Sequence, residues 1–353
     1  MSTIQTTSWA GIDTAKLTFD AAVGHPSAAL AFESALLRNL PVRSFPRSRE
    51  GAADFLAWAR PIAEETGTTL RIVMEATGAY SIELAAWLSE LAPACLPAIA
   101  NPKRTADFIK SLGVRNKTDK LEARALALYG LQRQPAAYEP LSPERAKLRS
   151  LLRYRDALVH ERVAERLRAQ ESASSATVRK IQKRRMAQLD RDIKALEKDM
   201  HEVVQKSPEL KRDINLLTTI YGVAFLTAAV VLAEIGDLRR FARARQLTAF
   251  SGVSPRVVQS GTSRHTSHIS KDGNGRVRQA LYMAATTAIR GDNKFAKEYN
   301  AHRSNNKSHK QALAPIMRKM LTVMRAILIS EIPYQPYHEK MEPACGKACG
   351  KAA

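Results

Sequence analysis

Residues 8–135 combine the two-residue apolar repeat of strands with the longer repeat of amphipathic helices. The first predicted strand covers 8–23, with an irregularity near Thr14–Lys16, and 28–32 and 40–45 are its candidate hairpin partners. Two further strands are predicted at Leu70–Met74 and Cys95–Ile99. The predicted helices are Ser48–Glu64, Ser81–Leu91 and one that starts at Pro102. Strands that alternate with helices predict an α/β domain, which ends at a linker carrying Pro135 and Pro140.

The pattern becomes purely helical from about residue 142 to about residue 210. Glycine is absent from Ser142–Gln205, and apolar positions recur at helical spacing on both sides of the serine-rich break at 172–177. This predicts a long antiparallel helical hairpin of the coiled-coil type, which is usually a dimerisation arm or spacer. The basic cluster Arg179–Arg185 could contact phosphate, although a solvated face is the commoner explanation.

Residues 212–333 predict a third, mainly α-helical domain. A helix, a turn with Gly222 and a second helix occupy 216–235, and 311–330 form a final helix. Residues 251–281 between them form a loop rich in Ser, Thr, Gly, Arg and Lys, a composition typical of phosphate-contacting surfaces. The tail 334–353 is predicted to be disordered.

Charge narrows the class of partner. The chain has 55 Lys and Arg against 34 Asp and Glu, a formal net charge of +21, which favours nucleic acid over a merely basic protein without a polyanionic partner. Three cysteines give no disulfide framework, and we find no signal peptide and no apolar run long enough to span a bilayer. We therefore expect a cytoplasmic protein without a membrane partner.

Four acids are candidates for metal binding. Asp13 and Glu75 lie on predicted strands, and Asp119 and Glu122 would share one face at the start of a helix. Each acid alone has a structural explanation, such as a capping box for the helical pair. Together, two strand acids and a helical pair in one α/β domain are what an RNase-H-like nuclease uses to hold Mg²⁺ or Mn²⁺.

Ser260 precedes Gly261 in the basic loop, where a small neighbour lets DNA approach closely. No general base is adjacent in sequence, so a turn or phosphate-contact serine is the commoner interpretation than a nucleophile. Arg256, Arg264 and Lys271 of the same loop are candidate phosphate contacts, as are Arg115 and Lys117 beside the helical acid pair.

The motifs together resemble those of one family, the DEDD-type transposases of the insertion-sequence-110 group, which includes the pilin-gene invertase. The motifs that carry this resemblance, in chain order, are GIDTAK at 11–16, MEATGAY at 74–80, RNKTDKLEAR at 115–124, QSG at 259–261 and ISKDGNGRVRQALYMAA at 269–285. The resemblance covers nearly the whole chain, from about Trp9 to Pro333.

The resemblance implies a RuvC-like, RNase-H-type domain at 8–135, a coiled-coil hairpin at 142–210 and a C-terminal transposase domain at 212–333. It implies metal-ligand roles for Asp13, Glu75, Asp119 and Glu122, and a phosphoserine link to DNA through Ser260. It also implies a structured bridge RNA that selects donor and target DNA, and a homotetramer, a dimer of dimers, whose sites pair the acids of one copy with the serine of another. One departure is Glu122, where relatives usually carry Asp.

Two alternatives remain open from the sequence. The first is a RuvC-like junction nuclease that uses water and leaves Ser260 structural. The second is a nucleic-acid scaffold without catalytic activity, in which Glu122 reflects lost chemistry.

Overall fold

The computed structural model describes residues 7–26, 39–113, 118–171, 175–256, 259–260, 263–264 and 268–335, with the backbone alone for Glu171 and the residues between 259 and 268. These residues divide into two compact units that meet in sequence at Pro140 and Leu141. We describe each unit by itself. The predicted division of the second unit into a hairpin and a separate C-terminal domain stays a prediction.

The first unit is an α/β unit. Its strands are β1 (Thr7–Thr14), β2 (Thr18–Gly24), β3 (Val42–Pro46), β4 (Thr69–Glu75) and β5 (Pro97–Ala100). Its helices are α1 (Arg49–Glu64), α2 (Ala79–Leu91), α3 (Pro102–Ser111) and α4 (Asp119–Arg133), with a 3₁₀ turn at Pro93–Cys95. This order confirms the predicted alternation of strands and helices.

The five strands form one mixed sheet in the order β3-β2-β1-β4-β5. β1, β2 and β3 pair antiparallel, whereas β4 and β5 run parallel to β1. The predicted single strand over 8–23 was wrong, because the backbone turns at Ala15–Leu17 and the Ala15 amide donates to the Thr18 carbonyl at 2.9 Å. The candidate partner at 40–45 is β3, and the one at 28–32 lies outside the described residues. A mixed sheet with helices is consistent with a RuvC-like α/β domain.

Helices cover both faces of this sheet. Even-numbered β1 residues such as Ile12 join a core with Phe55 of α1 and Leu84 of α2. Odd-numbered Trp9 joins a second core with Leu126 of α4. The two-residue alternation of a strand therefore assigns each β1 side chain to one face, and odd positions face α4.

The second unit is mainly helical. Its helices are α5 (Pro143–Glu171), α6 (Ala176–Lys206), α7 (Pro208–Thr218), α8 (Phe225–Ile235), α9 (Ala244–Phe250), α10 (Gly275–Ala288), α11 (Lys294–Ser304) and α12 (His309–Ser330), with a 3₁₀ turn at Leu238–Arg240. Two two-stranded pairs complete it: β6 (Pro255–Arg256) with β9 (His268–Ile269), and β7 (Gln259–Ser260) with β8 (Ser263–Arg264).

Ion pairs join α5 to α6 in an antiparallel arrangement. Arg155 contacts Glu197 at 2.7 Å, and Arg162, two turns further along α5, contacts Asp190 at 3.0 Å. Leu148 near the start of α5 is fully buried, whereas Val163 and Leu167 are 51% and 54% exposed. The periodicity thus predicted both helices, but only part of the apolar stripe lies in the core of this chain. Supercoiling of the pair stays a prediction.

A buried ion pair stabilises the core of the second unit. Asp213 of α7 is fully buried and accepts two hydrogen bonds from Arg239, at 2.9 and 2.7 Å. Arg239 also donates to the Leu328 carbonyl of α12 at 2.9 Å. This bidentate geometry satisfies a carboxylate that would be costly to bury alone. The contacts of Arg239 connect the 3₁₀ turn at Leu238–Arg240 to α7 and to α12.

Candidate functional site

The backbone of α4 lies directly on β1 because Gly11 has no side chain. A Cβ built at Gly11 would lie 2.1 Å from the Ala127 nitrogen and 2.2 Å from the Ala123 oxygen. One turn further along α4, a Cβ at Gly130 would lie 2.7 Å from the Trp9 ring. Gly11 meets Ala127 and Trp9 meets Gly130, so α4 runs antiparallel to β1. The first turn of α4 therefore lies beside the carboxyl end of β1.

This contact assembles the four predicted acids. Asp13 follows Gly11 by two residues and projects to the same face. Because Ile12 pairs with Met74 in the parallel register, Glu75 ends the adjacent strand at the same level. Asp119 and Glu122 occupy the first turn of α4. The capping-box alternative was wrong, since Thr118 is the N-cap and Asp119 is already the first helical residue.

The acids act electrostatically on Asp13. Burial, followed by the charges of Glu122, Asp119, Glu75 and Asp20, raises the pKa of Asp13 from 3.8 to about 7. The neighbouring carboxylates therefore disfavour the ionisation of Asp13, and they place an excess of negative charge at this edge of the sheet. The positive end of the α4 helix dipole, at Asp119 and Glu122, offsets only part of it.

Two neighbours of the acids were missed by sequence reasoning. Asp20 pairs with Asp13 across β1 and β2, and its carboxylate accepts a hydrogen bond from Ser44. Thr105 of α3 is fully buried and donates to Glu75 Oε2 at 2.6 Å. The sequence offered a signal for Asp20, because it is an acid in an otherwise apolar strand. It offered none for Thr105, because Thr105 and Glu75 lie 30 residues apart in the chain.

The acids fit a divalent cation by charge and by donor type. They supply hard carboxylate oxygens, which Mg²⁺ and Mn²⁺ prefer, at a site where negative charges repel each other. Within the described ranges, no three His, Cys, Asp or Glu residues already have the geometry of a metal site.

Ser260 belongs to the second unit and lies in β7, where it pairs with Ser263 of β8. We call residues 255–269 the serine arm. Its two ends are fixed, because Pro255 pairs with Ile269, and the Ser270 amide donates to the Ser254 carbonyl at 2.9 Å.

A polar network anchors the helix that follows the serine arm. Asn274 caps α10 by accepting from the Arg276 amide at 2.9 Å, and its side-chain amide donates to Glu234 at 2.7 Å. Glu234 also accepts two hydrogen bonds from Arg153, both at 2.8 Å. Burial raises the pKa of Glu234, but the hydrogen bonds and charge of Arg153 outweigh burial and keep the pKa below its usual value. Sequence reasoning missed Glu234 and Arg153, which are 81 residues apart.

The candidate phosphate contacts are described in part. Arg256 and Lys271 are exposed at the two ends of the serine arm. Arg264 lies in β8 with its backbone alone described, and Arg115 and Lys117 lie outside the described residues. Among the helices that the structure describes, none is both long and apolar enough to cross a membrane.

Two protein families match the chain. The family described as "Transposase IS116/IS110/IS902 family" matches residues 214–300, and a DEDD-type transposase family of the IS110 group matches residues 10–173. The first match contains the serine arm, and the second contains all four candidate acids.

Known proteins are similar over most of the chain. The pilin gene-inverting protein of Moraxella bovis is 32% identical over 327 residues, which are 92% of this chain and 96% of that protein. The pilin gene-inverting protein of Moraxella lacunata is also 32% identical over the same lengths. The transposase for insertion sequence element IS1111A of Coxiella burnetii is 27% identical over 253 residues, 62% of this chain and 66% of that protein.

Proposed function

The chain belongs to the IS110 family of transposases, enzymes of DNA strand transfer, and we propose that it cuts and rejoins DNA with Mg²⁺ or Mn²⁺ and Ser260. The observation that carries this proposal is the assembly of Asp13, Glu75, Asp119 and Glu122 at one end of β1. Because Asp13 is held among like charges, the binding of a cation there relieves repulsion that the fold itself creates.

In this mechanism Asp13, Glu75, Asp119 and Glu122 would hold the cation through their carboxylate oxygens. A divalent cation supplies charge stabilisation for the phosphoryl oxygens and lowers the pKa of an attacking hydroxyl. Thr105 orients the Glu75 carboxylate by its hydrogen bond to Oε2. Glu122 replaces the usual Asp of relatives with a side chain one methylene longer, which keeps the same oxygen donors.

Ser260 is the proposed nucleophile. Its Oγ forms a bond to phosphorus while the bond from phosphorus to the adjoining nucleotide oxygen breaks, and the serine proton ends on the released hydroxyl. The phosphoserine keeps the phosphodiester bond energy, so rejoining needs no ATP. The sequence accordingly contains no GxxxxGK[ST] phosphate-binding motif.

The central test is a search for a protein–DNA adduct. Purified protein, DNA carrying an element junction, the element-derived RNA and Mg²⁺ are combined, and the adduct is digested and mapped by mass spectrometry. The expected adduct maps to Ser260, is absent in Ser260→Ala and requires Mg²⁺ or Mn²⁺. Ser263→Ala is the matched control, because it removes the hydroxyl of the residue paired with Ser260 across the hairpin and should retain the adduct.

Two results would contradict the proposal in different ways. Metal-dependent nicking by Ser260→Ala, without an adduct in the wild type, would favour a nuclease that uses water. Unchanged DNA binding by Asp13→Asn, with no DNA cleavage by the wild type or the variant, would remove the metal site from the mechanism and favour a scaffold role.

We further propose that a structured RNA guides the reaction. Support comes from the family and from the net charge of +21, which suits a second polyanion besides DNA. Sequencing the RNA that copurifies with the protein from its native host tests this directly. Enrichment of a structured transcript from beside the gene is expected, and a random RNA profile would contradict it.

We also propose a homo-oligomer, a dimer of dimers, with the α5–α6 pair as one interface. The exposed Val163, Leu167 and Ile181 support it, since apolar side chains of this size on paired helices are typical of contact surfaces. We expect the Asp13→Asn variant and the Ser260→Ala variant each to be inactive alone. If the acids and the serine act from different copies, mixing the two variants should restore activity. Failure of complementation in verified mixed oligomers would contradict a shared site.

A further inference from the structure

A cavity of about 780 Å³ opens beside the serine arm in the second unit. Its walls come from both ends of the serine arm, from α10, and from the start of α12 with the loop before it. The volume lies within the range of roughly 300–1,000 Å³ that is typical of small-ligand sites. The cavity can therefore contain a group larger than a single inorganic anion.

The polar lining is cationic. Five basic side chains line the cavity: Lys271, Arg278, Lys307, Lys310 and Arg318. No carboxylate is among the described lining residues. Among the described residues, the ion pairs of α10 and α12 join Arg276 to Asp156 and Lys319 to Glu298, none of which lines the cavity, and Arg278 donates to the neutral Gly273 carbonyl at 2.6 Å. The positive charge is therefore available to an anionic ligand.

The remaining lining is largely apolar. Ile269, Pro315 and the buried Met317 contribute to it, and the half-buried Tyr282 contributes an aromatic ring. Basic groups beside a flat apolar and aromatic surface suit a ligand with a phosphate and a planar base. An acidic peptide would supply the negative charge but no planar group for Tyr282.

We propose that this cavity holds one unpaired nucleotide of a nucleic-acid strand, with its phosphate at the basic side chains and its base against Tyr282. Pro255 and Ile269 form both the base of the serine arm and part of the cavity wall. A strand seated here continues past the arm that carries Ser260. The inference goes beyond the proposed chemistry, because binding at this cavity requires neither the metal nor the serine hydroxyl.

The charge part of the proposal is tested by equilibrium binding of the full-length protein in EDTA, where no cleavage occurs. Fluorescence anisotropy with labelled single-stranded oligonucleotides is measured across a salt series. Lys271→Gln with Lys310→Gln removes two exposed lining cations, and Arg290→Gln with Lys297→Gln removes two exposed cations outside the lining. Each lost phosphate contact should reduce the slope of log affinity against log salt by about 0.7.

We expect the lining pair to reduce that slope by about 0.7, because the proposal places one phosphate at these side chains, and the control pair to leave it nearly unchanged. Equal losses from both pairs would overturn the proposal, because they would show a general effect of net charge. Melting curves of both double variants verify that each remains folded.

The base part is tested with a 2-aminopurine at successive positions of the strand and with Tyr282→Leu. At one position the wild type should change the fluorescence of the base, and Tyr282→Leu should abolish that change and weaken binding about 5- to 150-fold, the range for loss of one stacked base. Single-stranded DNA and single-stranded RNA are run in parallel to identify the kind of strand, and tighter binding of free mononucleotide than of either strand would overturn the proposal. Equal weakening of fully paired duplex, or no position that responds, would overturn the proposal.

Discussion

Removing the charge of Asp13 should stabilise the metal-free protein while it abolishes activity. The pKa of Asp13 rises from 3.8 to about 7 through burial and the neighbouring acids. At about 1.4 kcal/mol per pKa unit, a rise of about three units corresponds to about 4 kcal/mol at most. Asp13 is only partly buried, so solvent screening reduces this, and we expect Asp13→Asn to gain about 1–2 kcal/mol.

The pH dependence has a definite sign. Since the folded-state pKa lies above the unfolded value, the folded state binds the Asp13 proton more tightly than the unfolded chain does. The stability that this provides is complete below pH 3.8 and is lost as the pH rises through about 7. From about pH 4 to about pH 8, the wild type should therefore lose about 1–2 kcal/mol of unfolding free energy relative to Asp13→Asn.

Tryptophan fluorescence provides a selective assay. The chain has three tryptophans, Trp9, Trp58 and Trp87, and all lie in the first unit, so their emission reports on the unit that contains Asp13. Urea unfolding in EDTA is followed at several pH values for the wild type and Asp13→Asn. Asp54→Asn, an exposed acid on α1, is the matched control and should follow the wild type.

Mg²⁺ supplies the second half of this test. At about pH 8 it should raise the unfolding free energy of the wild type and have little effect on Asp13→Asn, because a ligand stabilises only the state that binds it. Identical pH profiles for the wild type and Asp13→Asn would refute the view that the neighbouring acids act on Asp13.

Three further predictions follow from the same geometry. Gly11→Ala should destabilise the first unit by about 1–3 kcal/mol in the same urea assay, because its Cβ meets the α4 backbone, whereas Gly24→Ala, which meets a flexible side chain, should cost less. Thr105→Val should raise the Mg²⁺ concentration needed for half-maximal activity about 10- to 100-fold, because the hydroxyl orients Glu75. Thr105→Ser keeps a hydroxyl and should need about the same Mg²⁺ concentration as the wild type. Leu167→Glu should lower the molar mass measured by light scattering, and an unchanged mass would argue against an interface at this exposed side chain.

The elements near the acids could be predicted because their causes are local. Ser48 starts α1 by accepting from the Gly51 amide, and Asn101 with Pro102 starts α3, both as helix-start chemistry predicts. The turn between β1 and β2 was missed, because its sequence carries neither Gly nor Pro.

The contacts that position the acids could not be predicted, because they join residues far apart in the chain. The sequence shows that Gly11 is a glycine but not that Ala127 will lie against it. The same holds for the hydrogen bond from Thr105 to Glu75 and for the Glu234 network. Sequence patterns identified the candidate residues, while tertiary packing determines how they are held.

The direct seating of α4 on Gly11 has a consequence for protein engineering. Main-chain contact at Gly11 sets the closest approach between this helix and its strand, and the Trp9 and Leu126 side chains pack on the same face, so that spacing does not depend on the opposite side of the sheet. Substitutions at residues such as Phe55 and Leu84, which pack on that opposite side, should therefore change the stability of the first unit more than the position of the acids on α4.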